Sequence, residues 1–133
     1  LWSVTSYQQL RAEALSAERW NRLHPGEKAR IPLVTSSLAG VGGPVVAITD
    51  YLKMVPDQVA RWVPGRFVPL GTDGYGRSDT REALRRFFEV DAGHVVVATL
   101  SALAAEGKVA PDRVMGAMAD HGIDPDRADP ALP

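Results

Sequence analysis

Apolar positions in the first part of the chain predict a strand followed by a helix. Residues 1–5 (LWSVT) are apolar and β-branched, which favours a strand. Ser6 is a good helix N-cap, and apolar residues then recur at helical spacing through Ala17. The helix is expected to end near Leu23, because His24 precedes a proline and that position disfavours the α conformation.

The middle of the chain predicts two more strands and two helices. Residues 31–39 form a short helix candidate, and the apolar run at 45–49 is typical of a strand buried on both faces of a parallel sheet. Residues 52–63 have helical spacing, with a proline in the first turn. A Pro-Gly pair ends that helix, and residues 67–70 predict a third strand.

The clearest helix in the pattern covers residues 79–89. Asp79 is its predicted N-cap, and Glu82, three residues later, completes a capping-box pattern. Leu84 and Phe88 share an apolar face, so we expect both side chains to be buried under the sheet.

Two further helices and a tail follow. Asp91 is predicted to cap the segment at 94–107, whose length, alanines and final glycine favour a helix over a strand. Residues 111–121 predict the last helix, which a glycine closes. The pattern therefore divides the chain into an α/β domain at 1–123 and a polar, proline-rich tail at 124–133.

The alternation of strands and helices predicts an α/β fold with a mostly parallel sheet. Three strands are fewer than such a sheet usually has, and the chain already begins inside a predicted strand. We therefore expect that the leading portion of the domain is missing and that this is a segment of a longer polypeptide.

Composition narrows the classes of function. The chain has 133 residues, 45% hydrophobic and 23% charged, which suits one globular domain. Its net charge of −1 gives little support to nucleic-acid binding, and the absence of cysteine fits an intracellular protein. No uninterrupted apolar run reaches the roughly 18 residues of a membrane span, so we expect no membrane partner.

A glycine-rich stretch, GTDGYGRSD at residues 71–79, is the main candidate for chemistry, and we call it the glycine loop. It lacks the lysine of a phosphate-binding loop, and its glycines are in the wrong order for a dinucleotide fingerprint. Two interpretations stay open, a structural corner and a direct contact with a ligand or active site. Gly74 and Gly76 are expected to adopt positive φ or to permit close backbone approach.

Other catalytic arrangements have weak support in the sequence. Ser78, Asp73 and one of the three histidines make a triad on paper, but the nucleophile-elbow motif is absent. No histidine pair or acidic loop has the spacing of a zinc or calcium site. We therefore assign no catalytic, cofactor-binding or metal-binding residue within this chain.

Several segments together resemble one family. They are WSVTSY, ERWNRLHP, LGTDGYGRSDTR and the ending DRADPALP. The chain resembles the C-terminal domain of the homodimeric bacterial pyruvate dehydrogenase, the thiamine-diphosphate-dependent first component of the pyruvate dehydrogenase complex, in the transketolase superfamily. This resemblance implies a three-layer α/β/α sandwich of the transketolase C-terminal type.

The resemblance also implies an activity for the complete enzyme. Such an enzyme decarboxylates pyruvate on thiamine diphosphate with Mg²⁺ and passes the acetyl unit to the lipoyl group of dihydrolipoyl acetyltransferase. It is a cytoplasmic bacterial homodimer. The family's cofactor motif, Gly-Asp-Gly followed by Asn-Asn, belongs to an earlier domain, so this segment is expected to bind neither cofactor and to be inactive alone.

The expected role of this segment is structural and dimer-forming. Asp73, Tyr75 and Arg77 should project from the carboxyl end of a strand, where open α/β sheets bind partners, and would then contact a neighbouring domain or the second subunit. A solvent-exposed turn is the alternative for the loop. For the whole chain, the alternatives are a non-catalytic α/β interaction module derived from such an enzyme and a flavodoxin-like nucleotide binder.

Overall fold

The computed structural model describes residues 1–132, which form six α-helices, one 3-10 turn and two strands. In chain order these elements are α1 (Tyr7–Leu23), α2 (Leu33–Leu38), β1 (Val45–Ile48), α3 (Met54–Asp57), the 3-10 turn (Ala60–Trp62), β2 (Phe67–Leu70), α4 (Arg81–Phe87), α5 (Ala92–Ala105) and α6 (Pro111–Asp120).

The sheet consists of β1 and β2, which run parallel. Val45 lies opposite Phe67, and Ile48 lies opposite Leu70. Parallel strands need a crossover connection, and here α3 and the 3-10 turn supply it. Helix α5 contacts both strands. A small parallel sheet with helices packed against it confirms the predicted α/β fold.

Two expectations about the strands are wrong. Residues 1–5 are irregular and exposed rather than a strand, so the described part of the sheet has two strands instead of three. A strand needs a neighbour for its backbone N–H and C=O groups, and no segment among residues 1–132 pairs with this one. Strand β1 is also not buried on both faces, since Ala47 is buried whereas Ile48 is 46% exposed.

Helix α1 begins and ends where its sequence predicts. The Ser6 hydroxyl accepts a hydrogen bond from the Gln9 N–H at 3.2 Å, and the helix stops at Leu23. Beyond this end, the Asn21 side chain donates to the Arg30 carbonyl at 2.9 Å and accepts from the Arg30 N–H at 2.7 Å. This pair of bonds closes the loop at 22–30, which explains the asparagine of the ERWNRLHP motif.

The hydrophobic core lies between the helices and the first residues of the strands. Val34, Val59 and Val63 form its buried centre. Partly buried side chains surround this centre: Tyr7, Leu10, Leu38, Val45, Trp62 and Phe67. Trp62 also donates its indole N–H to Glu18 Oε1 at 2.8 Å, which links the core to α1.

The helix expected at 52–63 is interrupted. Helix α3 has four residues, and the 3-10 turn follows after a short break. Backbone bonds from Trp62 N–H to the Val59 carbonyl and from Val63 N–H to the Ala60 carbonyl span three residues rather than four. This tighter winding accompanies the burial of Val59 and Val63 in the core.

The N-cap of α4 differs from the prediction by one residue. Thr80, not Asp79, caps the helix, because the Thr80 hydroxyl accepts from the Ala83 N–H at 3.3 Å. Asp79 instead accepts from the Thr80 N–H at 2.8 Å. With Thr80 as the cap, Glu82 is one position too early for a capping box.

Helices α5 and α6 follow their predicted signals. Asp91 caps α5 by accepting from the His94 N–H at 2.9 Å. Gly107 and Gly122 follow the two helix ends with φ of 70° and 58°, the left-handed conformation that favours glycine. The two helices pack against each other as a pair.

One stretch, Arg81–Ala105, is long and apolar enough by composition to cross a membrane, with a mean hydropathy of 1.4 over 18 residues. The structure divides it into α4 and α5, with a non-helical break that holds Glu89 at φ 60° and the Asp91 cap. Helix α5 has 14 residues. At 1.5 Å per residue it is about 21 Å long, short of the roughly 30 Å hydrocarbon core of a bilayer.

Candidate functional site

The glycine loop begins at the carboxyl end of β2, beside the turn that follows β1. The Thr72 N–H donates to the Tyr51 carbonyl at 2.9 Å, and the Thr72 hydroxyl donates to the Asp50 carbonyl at 3.0 Å. The Asp73 carboxylate accepts from the Lys53 N–H at 3.0 Å and lies 3.7 Å from the Lys53 ammonium. The first half of the loop is therefore a structural corner joined to the neighbouring turn.

Gly71 is buried because the neighbouring turn lies directly against it. A Cβ atom at this position would lie 2.6 Å from the Tyr51 carbonyl oxygen and 2.7 Å from the Lys53 nitrogen. Both are backbone atoms, which cannot swing aside as a side chain can. A glycine is thus required here by close backbone approach, although the sequence pattern pointed only to Gly74 and Gly76.

The second half of the loop has a different environment. Gly74 has φ 104°, as predicted, and its Cα faces the backbone of Pro130. The prediction for Gly76 is wrong, since it lacks a positive φ and an added Cβ would meet no atom within 4 Å. Tyr75 is 82% exposed, and the Arg77 guanidinium lies over the Phe87 ring, 4.1 Å from its centre.

An open groove of about 420 Å³ lies between the glycine loop and α4. Leu84, Phe88 and Val90 supply its apolar lining. Leu84 and Phe88 are half-buried, so the expectation that both are buried under the sheet is wrong. They are not covered by the sheet because α5, rather than α4, makes the main helical contact with the two strands.

Charged side chains rim the same groove. Arg77, Arg81 and Arg85 line it together with Asp50. The Arg85 guanidinium lies 3.6 Å from the Asp50 carboxylate, which joins α4 to the carboxyl end of β1. The groove thus combines an apolar floor, an exposed tyrosine and a surplus of positive charge, a composition that is typical of protein interfaces.

Arg86 and Asp91 form a second charged cluster beside the groove. Burial by itself would raise the pKa of the Asp91 carboxyl. The hydrogen bonds that it accepts from the His94 N–H, the His94 imidazole and the Arg86 guanidinium outweigh burial and hold this pKa below its ordinary value. Arg86 also donates to the carbonyls of His121 and Gly122. Arg86 therefore joins α4 to the end of α6.

The residues proposed for a catalytic triad are held apart by other contacts. Asp73 is bonded to Lys53, as described above. His24 stacks on Trp20, and His94 is bonded to Asp91. The His121 ring packs beside the backbone of Gly93. Within residues 1–132 the structure therefore brings no histidine to the glycine loop.

The groove residues do not fit a magnesium-bound diphosphate. Such a group needs carboxylate or amide oxygens for the cation. Asp50 is the one carboxylate in the groove lining, and it faces Arg85. No group of three His, Asp or Glu side chains within residues 1–132 has metal-binding geometry. The described groove lining thus consists mainly of apolar and arginine side chains rather than a set of cation ligands.

Comparison with known proteins places this geometry in a family. Residues 1–91 match the family model described as the transketolase-like C-terminal domain. Three bacterial relatives share the name pyruvate dehydrogenase E1 component. The protein from Pseudomonas aeruginosa is 50% identical over 131 residues, which is 98% of this chain and 15% of the relative. The Escherichia coli K12 protein is 45% identical over 133 residues, which is 99% of this chain and 15% of the relative.

The third relative, from Mycobacterium tuberculosis, is 44% identical over 124 residues, which is 93% of this chain and 13% of the relative. This chain thus spans about 15% of the length of the relatives that it matches. The similarity to the relatives extends past residue 91, where the family model ends, and includes α5 and α6.

Proposed function

This chain belongs to the transketolase-like C-terminal domain family, and we propose that it is the C-terminal domain of a bacterial pyruvate dehydrogenase E1 component. The observation that carries this proposal is the 44–50% identity to three enzymes of that name over 93–99% of the chain. The complete enzyme would decarboxylate pyruvate on thiamine diphosphate with Mg²⁺. It would then acetylate the lipoyl group of dihydrolipoyl acetyltransferase.

In this proposal the domain itself has a structural and dimer-forming role. Its groove lacks the donor set for the cofactors, so residues elsewhere in the complete enzyme would hold thiamine diphosphate and Mg²⁺. The partners of the segment would be the remaining domains of the same enzyme and the second subunit, rather than nucleic acid or a membrane. A cytoplasmic location in a bacterium follows from the same assignment.

The contact surface that we propose is the edge where β1 and β2 end. Tyr75 is 82% exposed, Tyr51 in the turn after β1 is 72% exposed, and Met54 at the start of α3 is 70% exposed. Large, highly exposed side chains on two segments that are hydrogen-bonded to each other are of the kind that partners cover. Arg77 lines the same groove as Tyr75, whereas Asp73 accepts a hydrogen bond from the Lys53 N–H and so joins the glycine loop to the neighbouring turn. Asp73 would therefore support the interface, and Tyr75 and Arg77 would contact the partner.

The first experiment tests the activity of the complete gene product. Pyruvate-dependent reduction of an artificial electron acceptor should require both thiamine diphosphate and Mg²⁺. Supplying lipoylated dihydrolipoyl acetyltransferase should then give acetyl transfer. A gene product that consumes no pyruvate under these conditions would contradict the enzyme assignment and favour an interaction module.

The second experiment tests the interface. In the complete enzyme, Tyr75→Ala and Arg77→Ala should weaken the dimer or lower pyruvate turnover at least several-fold, because truncating a central interface residue often costs more than 1 kcal/mol. Met115→Ala and Arg113→Ala are matched controls, since both residues are exposed on α6. If the two loop variants keep wild-type dimer affinity and turnover, the loop is only a corner.

A further inference from the structure

The C-terminal segment at 124–132, which we call the strap, folds back onto α4 and the glycine loop. We propose that the strap is a positioning device that holds the second half of the glycine loop, and with it the groove wall formed by Tyr75 and Arg77. Three sets of contacts carry this inference. It does not depend on which reaction the complete enzyme catalyses.

The first contact fixes the strap to the end of α4. Arg127 donates from Nη1 to the Arg86 carbonyl at 3.2 Å and from Nη2 to the Phe87 carbonyl at 3.3 Å. Carbonyls in the last turn of a helix lack the usual donor four residues later, so other groups satisfy them. The Arg86 carbonyl also accepts from the Glu89 N–H at 3.4 Å. The planar guanidinium supplies two such donors in a fixed fork, which a lysine could not reproduce.

The second contact joins the strap to the glycine loop through one aromatic ring. Arg127 lies over the Phe87 ring, 5.2 Å from its centre, and Arg77 lies over the same ring at 4.1 Å. Guanidinium groups at these distances are attracted to the ring. Arg77 belongs to the loop and Arg127 to the strap, so Phe87 connects two segments that are 50 residues apart in the sequence.

The third contact is between backbones. A Cβ on Gly74 would collide with the Pro130 carbonyl oxygen and would lie 3.2 Å from the Ala131 Cα. A turn in the strap positions this backbone. The Asp129 carboxylate accepts from the Ala131 N–H at 2.8 Å, and the Asp129 carbonyl accepts from the Leu132 N–H at 3.1 Å. Gly74 therefore has two reasons to be glycine, a φ of 104° and the strap against it.

These contacts predict that the two halves of the loop respond differently when the strap is released. The first half is held by Thr72 and Asp73, which bond to the turn after β1 and not to the strap. The second half contains Gly74 and Arg77, which contact the strap directly or through Phe87. Loss of the strap should free the second half and leave the first half in place.

The test uses the complete enzyme and the variant Arg127→Gln, with Arg113→Gln on α6 as the matched control. Trypsin cleaves after arginine, so the rate of cleavage at the Arg77–Ser78 bond, followed by mass spectrometry, reports opening of the second half of the loop. We expect Arg127→Gln to raise this rate about tenfold or more, a change that corresponds to easier local opening. Hydrogen exchange of the Thr72 and Lys53 amides should stay within about twofold of wild type.

A second variant pair makes the same test without removing a charge. Gly74→Ala should raise the cleavage rate as Arg127→Gln does, whereas Gly76→Ala should not, because its new methyl group meets open space. The proposal is overturned if cleavage after Arg77 changes less than threefold in both Arg127→Gln and Gly74→Ala. It is also overturned if Arg113→Gln raises cleavage as strongly as Arg127→Gln. Since these readouts do not involve pyruvate, their failure is distinguishable from failure of the proposed function.

Discussion

Substitution of Gly71 by alanine should open the corner between the glycine loop and the turn after β1. The new methyl carbon would lie 2.6 Å from the Tyr51 carbonyl oxygen and 2.7 Å from the Lys53 nitrogen, whereas ordinary contact begins at 3.4 Å. The neighbouring backbone would have to retreat by roughly 0.7–0.8 Å to restore ordinary packing. Since neither obstructing atom belongs to a side chain, no rotamer change can relieve the overlap.

That retreat would stretch two hydrogen bonds that hold the corner. They are the bond from the Thr72 N–H to the Tyr51 carbonyl at 2.9 Å and the bond from the Lys53 N–H to Asp73 at 3.0 Å. Overpacking costs about 1–3 kcal/mol. Because the two hydrogen bonds are stretched rather than broken, we take their combined loss as about 1 kcal/mol. We therefore expect local opening of the corner to become easier by about 2–4 kcal/mol.

Hydrogen exchange of the Thr72 and Lys53 amides in the complete enzyme measures this change. A shift of 2–4 kcal/mol corresponds to exchange that is roughly 30- to 1,000-fold faster. Gly76→Ala is the control, because an added Cβ there meets nothing within 4 Å, and its effect on the same two amides should be less than about threefold. Exchange that is no faster in Gly71→Ala than in Gly76→Ala would refute the close-approach argument.

Three further predictions concern the helix caps, pH and the cofactor. Thr80→Ala should destabilise α4 by about 0.5–2 kcal/mol, measured by hydrogen exchange of its amides. Asp79→Ala should destabilise α4 by less, and a larger effect of Asp79→Ala than of Thr80→Ala would show that Asp79 is the cap. Because the folded pKa of Asp91 lies below its ordinary value of 3.8, its stabilisation of the α5 N-terminus is present above that pH and lost as pH falls further. Amide exchange in α5 should therefore become faster as the pH falls below that value, and Asp91→Asn should remove this pH dependence. An unchanged pH dependence in Asp91→Asn would contradict the role of the Asp91 carboxylate. Calorimetric titration of the 133-residue chain with thiamine diphosphate and Mg²⁺ should show no binding; micromolar affinity would overturn the assignment of the cofactor site to other domains.

The candidate site was only partly predictable from the sequence. The positive φ of Gly74 and the position of the loop at the carboxyl end of a strand follow from local rules. The proposed interface residues, Asp73, Tyr75 and Arg77, were expected to project together, but Asp73 is bonded to the neighbouring turn. Arg127 had no local signal at all, because its partners lie 40 and 41 residues earlier in the chain.

By itself the sequence determined the features that depend on neighbouring residues. Ser6 and Asp91 cap their helices, and Gly107 and Gly122 end theirs, because each forms bonds or adopts a backbone conformation within about one helical turn. Motifs along the whole chain also carried its resemblance to the transketolase-like family. Local chemistry is enough for such features, since the interacting groups are held close by the chain itself.

Only the tertiary structure decided features that depend on distant parts of the chain. Residues 1–5 have strand propensity but no strand beside them, and the face of α4 with Leu84 and Phe88 lines a groove because α5 covers the strands instead. The strap at 124–132 reaches the glycine loop by the same kind of long-range contact. Propensity describes what one segment can form, whereas pairing and burial depend on which other segment occupies the adjacent space.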